Sequence, residues 1–335
     1  MQPSDLLKEG ERVLTICNAC RYCEGYCAVF PAMERLTTFP ERDLNYLANL
    51  CHNCRECFYA CPFTAPHEFD VDIPRTLTQI RESSYKTYAW PKWLRPLSST
   101  LAWLTITCGT GFSLWLPKTN GNLYTVMPHE IMVAIFTALS VLILLPIALT
   151  ALHFARANHL SAKAFAPALG DALTLKYMSS GGTGCTYPDE THSNARRWLH
   201  HLTFYGFSLC FASTCVAAFY HYALSQIAPY SYASLPVILG TLGGVGLLFG
   251  PLGLLALSIK AETTNWFDAE FTLLLFLTGA TGMLTLAVRE TPLLGRVLII
   301  HLALVAGLFL TLPYGKFVHG IYRFLALVRY SLDRT

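Results

Sequence analysis

Eight cysteines in two matching runs constrain this chain more than any other feature. The first run reads Cys17-Asn-Ala-Cys20-Arg-Tyr-Cys23-Glu-Gly-Tyr-Cys27; the second reads Cys51-His-Asn-Cys54-Arg-Glu-Cys57-Phe-Tyr-Ala-Cys61-Pro62. Each is C-x2-C-x2-C-x3-C, the spacing in which thiolates hold cubane [4Fe–4S] clusters. Three cysteines at x2 intervals wrap one face of a cube within a short loop, and the fourth lies about one helical turn further on and points away. Zinc is the usual rival, but it takes four ligands as two separated pairs, which two consecutive four-cysteine runs do not suit.

The same run occurs in two-cluster ferredoxins, where the fourth cysteine ligates the other cluster. The expected sets are therefore Cys17, Cys20, Cys23 and Cys61 for one [4Fe–4S] cluster, and Cys51, Cys54, Cys57 and Cys27 for the other. Between the runs, Glu41–Leu50 has apolar residues at 44, 47 and 50 after Pro40, a helical spacing with a start signal. Helices are also expected over residues 1–16 and Pro74–Ser84. A helical insert between two such runs resembles the α-helical ferredoxin domain found in the iron–sulfur subunits of succinate dehydrogenase and heterodisulfide reductase.

Composition divides the chain. Only 13% of residues are charged and 53% are hydrophobic, against about 25% charged in soluble domains. The apolar excess begins near residue 96, after Trp90, Lys92, Trp93 and Arg95, an aromatic and basic belt of the kind found at membrane interfaces. The reading is an all-helical protein: a ferredoxin-like domain over 1–95, then a six-helix transmembrane cytochrome b-type bundle over 96–335. The expected spans are 97–116, 131–153, 202–222, 235–259, 271–288 and 297–318, each near the ~20 residues a bilayer requires. The first is the weakest, and Pro251 is expected to kink the fourth.

Met1–Gly10 lacks a basic stretch followed by an apolar core, so it does not read as a signal peptide. The head is thus expected in the reducing cytoplasm. With six spans, the outward loops hold three basic residues (Lys118, Arg289, Arg296) and the inward loops and tail, counting Lys316 at the inner end of the last span, hold ten, in keeping with the positive-inside rule. This places the chain as a multi-pass protein of a bacterial inner (cytoplasmic) membrane with both termini cytoplasmic. The net charge of +3 and the lack of a basic stripe give no reason to expect nucleic-acid binding.

Histidines near the ends of spans are functional candidates. His301 and His319 are 18 residues apart; on one helix that is five whole turns, and about 27 Å along the axis. One imidazole near each membrane face is the geometry for two stacked b haems. The span 202–222 offers His221 at its outer end and His200 or His201 at its inner end. His200 lies about 60° short of six turns from His221, whereas His201 faces nearly the opposite way. His153 is a third option for the inner haem, so one or two haems and the inner ligand stay open. His52, His67, His129, His159 and His192 read as surface residues. The run Ser179–Cys185 lacks a phosphate-loop ending and reads as a surface turn. Cys108, Cys185, Cys210 and Cys215 are left over, the last two read as buried within a span.

The segment His301–His319, with Pro313-x-x-Lys316-x-x-His319, resembles the final haem helix of the respiratory nitrate reductase gamma subunit. Taken whole, the cysteine head, six spans, Gly181-Gly-Thr-Gly-Cys185 and Arg196-Arg-Trp-Leu-His-His201-Leu-Thr-Phe-Tyr-Gly206 resemble the tricarballylate or citrate utilization protein B family and the related cobalamin-pathway protein CobZ. The resemblance implies an electron-transfer protein that reoxidises the FAD of a partner tricarballylate dehydrogenase and passes electrons through two [4Fe–4S] clusters and haem b to quinone. Lys316, Arg323 and His319 are expected to border a quinone. No nucleotide fingerprint or nucleophile–base pair suggests substrate chemistry of its own. Rival readings are a quinone-reducing subunit of heterodisulfide- or nitrate-type enzymes and a membrane iron–sulfur sensor. A proton-coupled carrier is disfavoured because no paired acidic residues fall inside the expected spans.

Overall fold

The computed structural model describes residues 3–116, 123–158, 160–178, 193–260 and 266–334. The Gly-rich run with Cys185, and His159, His192 and Lys118, lie outside them. Among the described residues the fold is helical, with no strand. The head carries α1 (Pro3–Cys20), α2 (Val29–Met33), α3 (Glu41–Leu50), α4 (Glu56–Tyr59) and α5 (Ile73–Tyr88). Then follow α6 (Arg95–Trp115), α7 (Leu123–Val126), α8 (His129–Ala157), α9 (Phe165–Leu173) and α10 (Ala195–Leu224). The chain ends with α11 (Leu235–Lys260), α12 (Trp266–Ala287), α13 (Leu294–Thr311) and α14 (Val318–Asp333).

α3 forms where its periodicity places it. Pro40 caps it in an extended conformation, Glu41 and Asp43 complement the helix dipole in the first turn, and Leu44, Leu47 and Leu50 are fully buried. Each such leucine contributes about 1.5–3 kcal/mol. α5 is longer than expected at both ends; Asp72 caps it by accepting from Arg75 N at 2.9 Å, with Pro74 in the first turn. α1 also overruns its expected end and takes Cys17 and Cys20 into its last turn. It passes close to α3 and α5 at Gly10, where an added Cβ would lie 2.6 Å from Ile80 Cδ1 and 3.2 Å from Leu44 Cδ2.

The chain divides into two compact units. The first is larger than the head alone, comprising Met1–Lys92, Pro146–Arg197 and Phe317–Thr335. In it, α14 packs on α3 and α9. Tyr322 is buried, stacked on Tyr85 with ring centroids 5.3 Å apart and tilted against Phe154 at 5.2 Å. Arg329, 8% exposed, donates to Asn158 Oδ1 at 2.9 Å and pairs with Asp43, with its guanidinium 4.0 Å from the Tyr46 ring centroid.

The second unit comprises Trp93–Leu145 and Trp198–Lys316. Five helices, α8, α10, α11, α12 and α13, are long and apolar enough to cross a membrane. α6 forms but falls outside that group, because Ser98, Ser99, Thr100, Thr105, Thr107, Gly109, Thr110 and Gly111 dilute its apolar character. Leu142, Leu144, Phe211, Phe219 and Phe249 project outward, a surface suited to lipid rather than water. α11 continues through Pro251, and α8 through Pro146. Cys215 is exposed, not buried as expected, while Cys210 is half-buried. α12 begins at Trp266, so it includes Asp268 and Glu270, acidic residues that the expected span at 271 left out. Glu270 accepts hydrogen bonds from Trp103 Nε1 (2.9 Å) and Ser99 Oγ.

The last expected span is corrected. α13 stops at Thr311 and α14 starts at Val318, so His301 and His319 are on different helices and the five-turn phase between them does not hold. Pro313 lacks an N–H and disfavours helix at the residue before it. The Phe309 carbonyl, which an N–H at position 313 would have bonded, accepts from Leu312 N at 3.1 Å, and the Thr311 carbonyl accepts from Tyr314 N at 3.1 Å and Gly315 N at 2.6 Å.

α10 and α11 meet through small residues. A Cβ on Gly250 would lie 2.5 Å from Thr203 Oγ1 and 2.6 Å from Thr203 N; one on Gly246 would lie 2.7 Å from Leu202 O. Such close backbone approach characterises helix pairs in lipid. Gly250→Ala is expected to destabilise the unit by about 1–3 kcal/mol through overpacking. A lower unfolding midpoint in detergent checks this; an unchanged midpoint would contradict the close crossing.

Candidate functional site

The two cysteine runs fold alike. The residue after the second cysteine of each run, Arg21 and Arg55, is left-handed at φ 55° and 64°, which turns the loop so that the third cysteine faces back. The fourth cysteine crosses over. A mainly apolar cavity is lined by Cys17, Cys20 and Cys23 together with Cys57 and Cys61, walled by Phe30, Phe63, Val71 and Ile73. Burial and then the nearby Cys61 push the Cys17 and Cys23 thiols up to about 12. Burial and then Cys54 and Cys51 raise Cys27, and burial and then Cys54, Cys51 and Cys27 raise Cys57. Thus Cys61 neighbours the first run and Cys27 the second. Five cysteines at one mainly apolar cavity are the donor type that an iron–sulfur centre takes. Among the described residues, no group of three or more His, Cys, Asp and Glu converges on a single metal ion; a cubane cluster spreads its four ligands over four irons instead.

The two sets differ in surroundings. Cys20 is exposed beside an exposed Tyr22, whereas Cys51 is only 7% exposed. Three arginines from three elements surround the Cys51–Cys54 loop. Arg81 Nη1 donates to Cys51 O at 2.7 Å, and Arg196 donates to Asn53 O at 3.1 Å and His52 O at 3.3 Å. Arg323 contacts His52 Nε2. Burial pushes the Arg323 guanidinium down to about 10, opposed by the charge it shares with Cys51 and Cys27. His52 is therefore not the surface residue expected, and Arg323 contacts this loop. Residue spacing carries no signal for these arginines, since they come from positions 81, 196 and 323.

The membrane histidines are placed differently from one another. The Thr281 Oγ1 hydroxyl donates to Leu277 O at 2.7 Å and lies 3.0 Å from His301 Nδ1. With the Thr281 proton on Leu277 O, an Nδ1–H would donate to Thr281 and leave Nε2 as the basic nitrogen, the tautomer that binds a metal; in the other tautomer Thr281 donates to Nδ1. The ring seats against Gly282, where a Cβ would lie 3.1 Å from His301 Cε1. Neither Thr281 nor Gly282 stands out in the sequence, although small residues on a span are the usual sign of such an approach. His221 is stacked on His129, ring centroids 3.8 Å apart at 22°, so His129 joins the candidates instead of lying alone at the surface. Stacked imidazoles do not converge on one iron. α10 is continuous, so the phase relation of His200 and His221 is that of one helix. His201 stacks on Tyr205 at 5.6 Å and lies 5.8 Å from Trp198. His153 is exposed, and His319 is in the first turn of α14 in the first compact unit. Lys316 pairs with Asp268 at 2.6 Å in the second unit.

Family comparison covers both parts. The family described as "Citrate utilization protein B" matches residues 103–335. The chain belongs to this family. The family's Fer4-like domain matches residues 10–87, which contain all eight motif cysteines. The Citrate utilization protein B of Escherichia coli is 42% identical over 97% of this chain and 92% of its own length. No solved structure matches the chain. The two family matches join a Fer4-like domain to the segment that carries the apolar helices in one polypeptide.

Proposed function

We propose that the chain carries electrons from a cytoplasmic FAD-dependent tricarballylate dehydrogenase to membrane quinone. The observation that carries this reading is the crossing of the fourth cysteines, Cys61 toward the first run and Cys27 toward the second. When bound, two [4Fe–4S] clusters and haem b supply one-electron steps between the two-electron chemistries of flavin and quinone. Cys17, Cys20, Cys23 and Cys61 would hold one cluster and Cys27, Cys51, Cys54 and Cys57 the other. Phe30, Phe63, Val71 and Ile73 give the first cavity an apolar wall.

His301 is the best-supported haem ligand, since Thr281 Oγ1 contacts its Nδ1 and Gly282 makes room for its ring. His221 and His319 remain proposed ligands, with His201, His200 or His153 at the inner position. His301→Ala is expected to remove Soret absorbance. Thr281→Val is expected to weaken haem retention by about 10–100-fold, the usual effect of losing a partner that orients a ligand; retention equal to wild type would count against the assignment.

The fold supports a membrane protein with both ends on one face. Arg329 bonds Asp43 of the head and Asn158, which follows α8. Between those two points lie α8, one of the five helices apolar enough to cross a membrane, and α6, which is not among them; crossing by both would return the chain to its starting face. The four helices α10 to α13 then bring the chain back once more to α14. Six crossings, with the basic residues concentrated on the head's side, favour cytoplasmic termini in an inner membrane.

The test is reconstitution of the purified chain in vesicles containing a water-insoluble quinone, with the reduced dehydrogenase added under anaerobic conditions. Quinol formation that requires both proteins is the expected result. A cluster-loaded chain that the dehydrogenase reduces but that forms no quinol would instead favour a sensor.

A further inference from the structure

Resting on the two-cluster reading, we infer that Arg81, Arg196 and Arg323 make the set Cys27, Cys51, Cys54 and Cys57 the electron exit of the head, by raising its reduction potential above that of the set Cys17, Cys20, Cys23 and Cys61. The potential of an iron–sulfur centre is set by nearby charge, hydrogen bonds to sulfur and solvent exposure. Each of these can be compared between the sets.

Each set receives a backbone hydrogen bond on sulfur, Asn53 N to Cys51 Sγ and Phe63 N to Cys61 Sγ, both at 3.4 Å; the Val29 backbone adds one to Cys27, which acts in the same direction as the arginines. Arg21 and Arg55 stand at equivalent places in the two runs, both left-handed, so they do not separate them. The additional guanidinium groups fall on one set only by geometry. Arg81 is buried and donates to Cys51 O, Arg196 donates to the carbonyls of His52 and Asn53, and Arg323 contacts His52. Reduction adds one negative charge, which these cations stabilise.

Two features act in the other direction. Glu56, buried and adjacent to Cys57 in the chain, adds one negative charge, against three positive ones. Water at the exposed Cys20 also stabilises added charge on the first set. Fixed full charges on a buried loop outweigh water at one ligand, because the low dielectric there weakens screening. One electron then passes from the Cys17 set, which is oxidised, to the Cys51 set, which is reduced. No bond or proton changes hands in that step.

The experiment is an EPR-monitored redox titration of the full-length protein in detergent, for wild type, Arg81→Gln, Arg196→Gln, Arg323→Gln and Arg323→Lys. Cys27→Ser assigns one signal to the second set independently. In the Gln variants that signal should move to lower potential by at least a tenfold change in its oxidised-to-reduced ratio, about 59 mV for a one-electron couple, while the other signal stays. Arg323→Lys should keep most of the wild-type potential. Should Arg81→Gln fail to fold, Arg196→Gln and Arg323→Gln carry the same reading, since Arg323 and Arg196 reach the loop from other helices. The inference is overturned if the assigned signal is the lower of the two in wild type, or if the Gln variants leave it unmoved. A wild type with no cluster signals overturns the two-cluster reading itself, so the two failures are distinct.

Discussion

Cys27→Ser is expected to remove the cluster of the other run and to leave its own run loaded. Purified anaerobically, the variant should retain about four of about eight irons, and one of two cubane signals. Cys61→Ser should remove the complementary signal. The reason is the placement of the fourth cysteine of each run: Cys27 lies among Cys51, Cys54 and Cys57, and Cys61 beside Cys17 and Cys23. Were each run to close on its own cluster, Cys27→Ser and Cys57→Ser would erase different signals. With crossed ligation they erase the same one, which makes the pair decisive.

Arg329→Met should destabilise the first compact unit. The guanidinium is buried between Asp43, Asn158 and the Tyr46 ring, and removing one partner of a buried pair costs about 3–5 kcal/mol because the other charge is left uncompensated. Arg42 Nε remains 3.4 Å from Asp43 on a half-exposed side chain, which puts the expected loss at the lower end, near ~3 kcal/mol. Asp43→Asn in the same chain should recover part of it, since it removes the stranded charge. Chemical unfolding of the purified protein measures both. Equal stability of Arg329→Met and wild type would mean that α14 is not fastened to the head through this residue.

How much could be read from the residues alone differed by feature. The cysteine runs announce their chemistry because ligand spacing is a local property, and α3 is legible because Leu44, Leu47 and Leu50 mark one face. Apolar runs similarly marked α8, α10, α11 and α12. The end of α13 was missed because hydropathy continues through Leu312 and Phe317, whereas the break depends on Pro313, whose missing N–H leaves the Phe309 carbonyl to accept from Leu312 N. The arginines around the Cys51 loop and the Thr281–His301 contact were not legible, since each joins residues far apart in the chain. Long-range pairing of this kind leaves no period in the sequence.

The proposed electron relay begins at eight thiolates and ends at membrane imidazoles, and everything else about the protein's role depends on it. Its most direct test is the combined iron and sulfide content, EPR and optical spectrum of the protein purified anaerobically from membranes. A working relay requires about eight irons in two cubane centres, together with a Soret band and the low-spin spectrum of a haem bound by two histidines. Folded protein that is colourless, or that contains zinc with no visible absorption, would contradict it.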